Sequence, residues 1–228
     1  MKKYETNIPF QVTEEGDKIL SPFGPMIFQS YLDENFIKDL IEQGSHLTKK
    51  DDDWRHSLAG NMKSGGSYIY NDDFILKSEK YLLKYVKRFF KGISSTYGDD
   101  QIYALLDKQL DRRQKKVGKL RLDTMWINYQ HKNDFNPPHN HRGALSFVIF
   151  CKVPKNIFDK QDVVSNSNAP GKIIFSYGEQ TSALCRPSYQ VFPDEGLIFI
   201  FPANLTHHVP PFWVDEERIS VSGNFVVV

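Results

Sequence analysis

Leu120-Arg121-Leu122-Asp123-Thr124-Met125-Trp126-Ile127-Asn128-Tyr129-Gln130 is where the chain changes its period. Before it, apolar residues recur every three or four positions. From Lys119 onward they recur every second position, which is the pattern of strands. Five more runs rich in Val, Ile, Phe and Tyr follow at 145–153, 172–177, 189–192, 197–201 and 218–228, separated by clusters of Pro, Gly, Asn and Asp. Six strands preceded by helices predict a mainly β chain of the α+β class. Its form would be an antiparallel barrel or jelly roll with N-terminal helices packed on one sheet.

Upstream, Leu32, Phe36, Ile37, Leu40 and Ile41 recur at helical spacing, with Asp33 and Glu34 at the positive end and Gly44 at the stop, predicting a helix over 32–44. A longer helix is predicted over 74–98, where Leu82, Tyr85, Val86, Phe89, Phe90 and Ile93 form one stripe. A weaker helical pattern (Ile102, Leu105, Leu106, Leu110) runs into Arg112, Arg113, Lys115, Lys116, Lys119 and Arg121. These charges suit a solvated helix end, because the aromatic residues of a single-strand nucleic-acid binder are not interleaved with them. The polar stretch 51–73 reads as a surface loop, or as a lid built on Ala59-Gly60 and Gly65-Gly66, and 155–170 as the longest excursion. The organisation expected is one domain over 1–228, with 1–118 as a helical support region and 119–228 as a jelly-roll core.

Composition narrows the function classes. The 228 residues carry 29 basic and 28 acidic side chains, so net charge favours neither nucleic acid nor a membrane surface as partner. Two cysteines, Cys151 and Cys185, suit a reducing compartment, and no apolar run of signal-peptide or membrane-spanning form occurs, so a cytoplasmic location is expected. With 17 Phe and 11 Tyr the chain has ample core formers.

Five of the seven histidines fall between 131 and 208. In Asn136-Pro137-Pro138-His139-Asn140-His141 an extended backbone puts both imidazoles on one face. A third candidate, His207, follows the apolar run 197–201 in Leu205-Thr206-His207-His208. In a closed jelly roll such strands become neighbours, giving three protein ligands and open positions suited to iron, zinc, copper or nickel. The same residues also read as loop histidines without chemistry. Downstream, Arg218 and Ser220 alternate onto one face of the last strand and could together clamp a carboxylate; Arg218 could equally pair with Asp215, Glu216 or Glu217.

Taken together, Trp126-Ile127-Asn128-Tyr129, Asn136 to His141, Leu145-Ser146, Gly171, Phe175, Gly196 through Pro202, Leu205-Thr206-His207, Val209, Pro211, Arg218-Ile219-Ser220 and Asn224 resemble the non-haem Fe(II)- and 2-oxoglutarate-dependent oxygenases. Within them the chain is most similar to prolyl-hydroxylase-like proteins with a His-X-His motif, virus-encoded members included. The resemblance covers 119–228 and implies a double-stranded β-helix. It implies His139 and His207 as iron ligands, Arg218 and Ser220 on the distal carboxylate of 2-oxoglutarate, and Asn128, Tyr129 and Ser146 as further cosubstrate contacts. The departure is His141, where most of the superfamily has Asp; His141 is the preferred third ligand, with Asp134 or water as the alternatives. The implied activity is hydroxylation of a C–H bond, with Fe(II), 2-oxoglutarate and O2 as cofactor and cosubstrates and a protein or peptide, such as a prolyl residue, as substrate. Two other readings compete: a cupin-type metal enzyme, although the glutamate that usually follows His-X-His is missing, and a non-catalytic jelly-roll binding or virion-associated module.

Overall fold

Leu197-Ile198-Phe199-Ile200-Phe201 has no polar face, so a strand built from it must be covered on both sides. The computed structural model, which describes residues 10–12, 15–20, 24–47, 50–107, 118–157, 169–179 and 186–228, places it inside an eight-stranded sheet. The strand order is β1 (Phe10–Val12), β2 (Lys18–Leu20), β3 (Ile27–Tyr31), β10 (Leu197–Pro202), β7 (Leu145–Lys152), β12 (Arg218–Val227), β5 (Leu120–Gln130) and β4 (Gly66–Ile69). A four-stranded sheet has the order β6 (Asn136–His139), β11 (Thr206–Val209), β8 (Ile173–Ser176) and β9 (Ser188–Val191). All pairings are antiparallel.

Alternation along the large sheet feeds two cores. Ile198 and Ile200, Ile149 and Cys151, Ile127 and Met125, and Val221 pack against the helices α1 (Glu34–Ser45) and α2 (Asp72–Tyr97) through Leu40, Leu82, Val86, Phe89 and Ile93. Leu197, Phe199, Phe201, Val148 and Phe150 point the other way, onto Ile173, Phe175, Tyr189 and Val209 of the small sheet. The helices start where local chemistry says they should: the Asp33 side chain accepts from the Phe36 N–H, and Asn71 accepts from the Phe74 N–H. This is the expected mainly β architecture, two antiparallel sheets with N-terminal helices on one of them.

The first half is less helical than its periodicity suggests, since β1 to β4 all lie there. Strands of three to five residues are too short to display alternation, and the weak third pattern resolves into α3 (Asp100–Asp107). Within 51–73, Gly66–Ile69 pairs with β5. Leu110, Arg112, Arg113, Lys115, Lys116, Val163, Val164 and Cys185 lie outside the described residues. No helix among the described residues is long and apolar enough to cross a membrane.

The inner face of the large sheet is not uniform. On β7 and β10 it is apolar apart from Ser146, whereas on β5 and β12 it carries Trp126, Asn128 and Gln130 beside Arg218, Ser220 and Ser222. That polar half borders a cavity between the sheets. The segment that carries Leu58 and Ala59 of its wall reaches β5 through Gly65, where a Cβ would fall 1.6 Å from the Tyr129 carbonyl oxygen. Gly65→Ala should therefore destabilise the protein by about 1–3 kcal/mol through overpacking. An unchanged urea midpoint would show that β4 and the 58–65 segment yield freely.

Candidate metal centre

Pro137 and Pro138 cannot donate to a ladder, which confines β6 to the edge of the small sheet. There it pairs with β11 so that His139 lies opposite His207. His139 Nδ1 sits 2.7 Å from the Pro137 carbonyl, and His207 Nδ1 sits 2.9 Å from the Leu205 carbonyl. A carbonyl only accepts, so each Nδ1 carries the proton and each Nε2 keeps its lone pair. His141, just beyond β6, donates its backbone N–H to Ala203 and brings its Nε2 to 3.2 Å from that of His207. One ligand atom from each of the three lies within 4.8 Å of the others. Such a set could hold one metal ion.

Burial keeps these imidazoles neutral. Desolvation lowers the pKa of His139, and lowers that of His141 to about 4 and that of His207 to about 3, with the neighbouring histidines adding to the effect on the last two. A neutral imidazole is the ligating form.

Arg218 lines the same cavity and is 1% exposed. It donates from Nη1 to the Gly171 carbonyl at 2.7 Å and from Nη2 to Gln130 Oε1, while its Nε has no partner. Pairing with the acidic residues before it does not occur. Glu217 faces His131 and Lys152, Asp215 faces Lys132, and Glu216 accepts from the Lys155 N–H. Burial without an anion pulls the guanidinium pKa down to about 9.

Asn128 and Ser220 line the cavity with Arg218 and the histidines. Tyr129 and Ser146 are not brought there. Tyr129, one residue out of step with Asn128, points to the helical side and meets Tyr68 edge-on. The Ser146 hydroxyl donates to Asn224 Oδ1, beyond the cavity. Asp134 is no candidate ligand, because its buried carboxylate accepts the backbone N–H groups of Ser64, Gly65 and His131. His208 neighbours His207 but does not belong to the cluster. Some contributors escape a reading of the sequence: Gln130 shares the parity of Asn128 and could have been found by it, and Leu58 carries no signal, while its neighbour Ala59, named only as part of a lid stretch, walls the cavity beside it.

Residues 124–224 match the family model described as putative 2OG-Fe(II) oxygenase. This stretch, which holds the three histidines and Arg218, is that of a 2OG-Fe(II) oxygenase. Among solved structures, this oxygenase is similar to the non-heme α-ketoglutarate-dependent epimerase SnoN from nogalamycin biosynthesis (13% identity, 88% of this chain and 78% of the other, TM-score 0.51). It is also similar to JOX2 in complex with 2OG, Fe and JA (11% identity, 89% and 68%, TM-score 0.51). A Pseudomonas putida prolyl-4-hydroxylase aligns at 14% identity over 88% and 91% with a TM-score of 0.49. At these identities the first two show a shared fold. No curated protein matches the sequence.

Fe(II) and 2-oxoglutarate are the cofactor and cosubstrate of this superfamily, and the residues present fit both. Three imidazole nitrogens suit Fe(II), and a buried guanidinium with a free N–H suits a carboxylate. Among the residues lining the cavity there is no glutamate of the kind a cupin would use.

The lowered histidine pKa values set a pH dependence. The folded apo-protein resists protonation at His141 and His207, whereas the unfolded chain takes up protons near pH ~6.5. Stability is therefore complete above about 6.5 and falls as pH drops from there toward about 3. Urea midpoints of metal-free protein should decline between pH 7 and pH 5, and the decline should shrink in a His141→Gln/His207→Gln double variant. An equal decline in both proteins would assign it to other groups.

Proposed function

We propose that this oxygenase hydroxylates a C–H bond of a peptidyl residue such as proline, with oxidative decarboxylation of 2-oxoglutarate to succinate and CO2. In this reading His139, His141 and His207 hold Fe(II), and Arg218 with Ser220 receives the distal carboxylate of the cosubstrate. One observation carries it: three neutral imidazoles and a buried guanidinium without an anion face one cavity. The peptidyl substrate rests on the resemblance of the His-X-His motif to prolyl-hydroxylase-like proteins. Residues 119–228 are the catalytic core and 1–118 its support, and the compartment is the cytoplasm.

Bound iron, 2-oxoglutarate and O2 supply the oxidising chemistry; the protein's part is to bind, orient and exclude water. His139 and His207 enter with Nδ1 already committed to carbonyls, so their rings are aimed before a metal arrives. The Ser67 hydroxyl donates to Asn128 Oδ1 at 2.7 Å, which leaves the Asn128 amide N–H groups free to donate toward the cavity. The indole of Trp126 lies with its centroid 5.7 Å from that of His141 and, with Leu58 and Ala59, forms an apolar wall. Such a wall limits water around the reacting centre.

Anaerobic titration with Fe(II) and then 2-oxoglutarate, followed by succinate measurement with candidate peptides under air, tests the whole reading. Succinate formation stimulated by a prolyl peptide is the expected result. Stimulation only by small molecules would replace the peptidyl substrate. Arg218→Ala should weaken 2-oxoglutarate binding by roughly 2–5 kcal/mol while metal uptake persists, because a buried charge loses its partner; unchanged affinity would remove 2-oxoglutarate from this position. His207→Ala should abolish iron-dependent turnover and His208→Ala preserve much of it, since neighbours on a strand face opposite ways. The reverse pattern would move the ligand assignment by one residue.

A further inference from the structure

Arg218 keeps its charge without an anion, and the residue facing it is the reason. Gln130 stands opposite Arg218 in the β5–β12 register and accepts from its Nη2, while the Gly171 carbonyl accepts from Nη1. Both acceptors are neutral. The nearby carboxylates are committed elsewhere, Glu217 to His131 and Lys152 and Asp134 to three backbone N–H groups. A glutamate at 130 would occupy nearly the same space and would close a buried ion pair with Arg218.

We propose that Gln130 is a positioning residue that aims the Arg218 guanidinium while leaving its charge free, and that it thereby sets the preference of the site for oxo acids bearing a second carboxylate. The inference rests on the 2-oxoglutarate reading above. An amide side chain can be turned either way, and here its neighbours decide. Gln130 Nε2 donates at 2.6 Å to the Asp134 carbonyl, which can only accept, so Oε1 has to face Arg218. Asp134 is itself held by the backbone N–H groups of Ser64, Gly65 and His131. Asp134 therefore aims Gln130, and Gln130 aims Arg218. The rings of Phe212 and Phe150, at 5.3 and 6.0 Å from the guanidinium carbon, flank the charge without neutralising it.

The test compares two ligands by calorimetry on anaerobic, Fe(II)-loaded protein. One is 2-oxoglutarate; the other, 2-oxobutyrate, has the same oxo-acid end and lacks the far carboxylate. Wild type should prefer 2-oxoglutarate by about 30-fold or more. Gln130→Glu should reduce that preference by at least about tenfold, with affinity for 2-oxobutyrate and for metal held within about threefold, because the new carboxylate consumes the charge. Gln130→Leu loses both hydrogen bonds but adds no charge, so its preference should fall by less. A packing role alone would weaken both acids alike. The inference is overturned if Gln130→Glu keeps the wild-type preference, or if Gln130→Leu falls as far as Gln130→Glu. Should Gln130→Glu fail to give the wild-type circular dichroism spectrum, Gln130→Leu decides. A two- to tenfold loss confined to 2-oxoglutarate supports the positioning role, and no loss, or equal loss for both acids, overturns it. A wild type that binds the two acids equally overturns the 2-oxoglutarate reading at Arg218, and the inference falls with it.

Discussion

A sheet covered on both faces must sort its side chains residue by residue, and in this protein that constraint decides where chemistry can occur. The large sheet sends one set of side chains to the helices and the alternate set to the small sheet. A slip of one residue in β12 would carry Arg218 and Ser220 to the helical side and put Ile219 and Val221 in the cavity. Long pairings with β5 and β7 on either side hold β12 in register. The position of Arg218 and Ser220 is thus a consequence of sheet register, and their rigidity is that of a central strand, while His139 stands on the edge strand β6.

The same sheet divides its inner face by strand. On β7 and β10 the inner residues include Val148, Phe150, Leu197, Phe199 and Phe201, which close against the small sheet as core; Val148, Phe150 and Phe201 also form the apolar side of the cavity. On β5 and β12 the inner residues are polar, and the two sheets leave a cavity there instead. Opening a cavity in a packed interior sacrifices burial, and the helices recover it on the other side, where Phe28, Leu40, Leu82, Phe89 and Phe225 are almost fully buried. The N-terminal helices are in this sense what permits a polar inner face. Breaking their packing would loosen β5 and β12 from behind without touching a histidine or Arg218.

Most of this was legible in the sequence where a pattern was long enough to repeat. The eleven residues of β5 and ten of β12 show period two plainly, and their alternation already separates Asn128 from Tyr129. Tyr129, which the family resemblance implies as a cosubstrate contact, packs on the helical side as that alternation requires. Strands of three to five residues, such as β3, β4, β6 and β11, show no period and become strands only because a neighbour pairs with them. The histidine cluster was legible as spacing but not as geometry, since nothing in the sequence says that β6 lies against β11. Asp134 shows the converse. A carboxylate five residues from His139 reads as a ligand candidate, yet its oxygens are fully engaged by backbone donors.

That engagement ties the cavity's parts together. Asp134 holds the 64–65 backbone, and this segment continues back to Leu58 and Ala59 at the cavity wall and forward into β4. Through its own carbonyl, Asp134 also receives Gln130, whose other end receives Arg218. One residue therefore fixes both a wall and the hold on the guanidinium, using three charge-assisted bonds that water cannot easily replace in a site 2% exposed. The result is a cavity in which a guanidinium and neutral imidazoles are held by backbone carbonyls and neutral partners, while the nearby carboxylates of Asp134 and Glu217 are withdrawn into structure. Among the described residues that line it, none is acidic. Charge balance inside the cavity is then left to what binds there, and a dianion beside a divalent metal is the kind of occupant that such a set of groups selects.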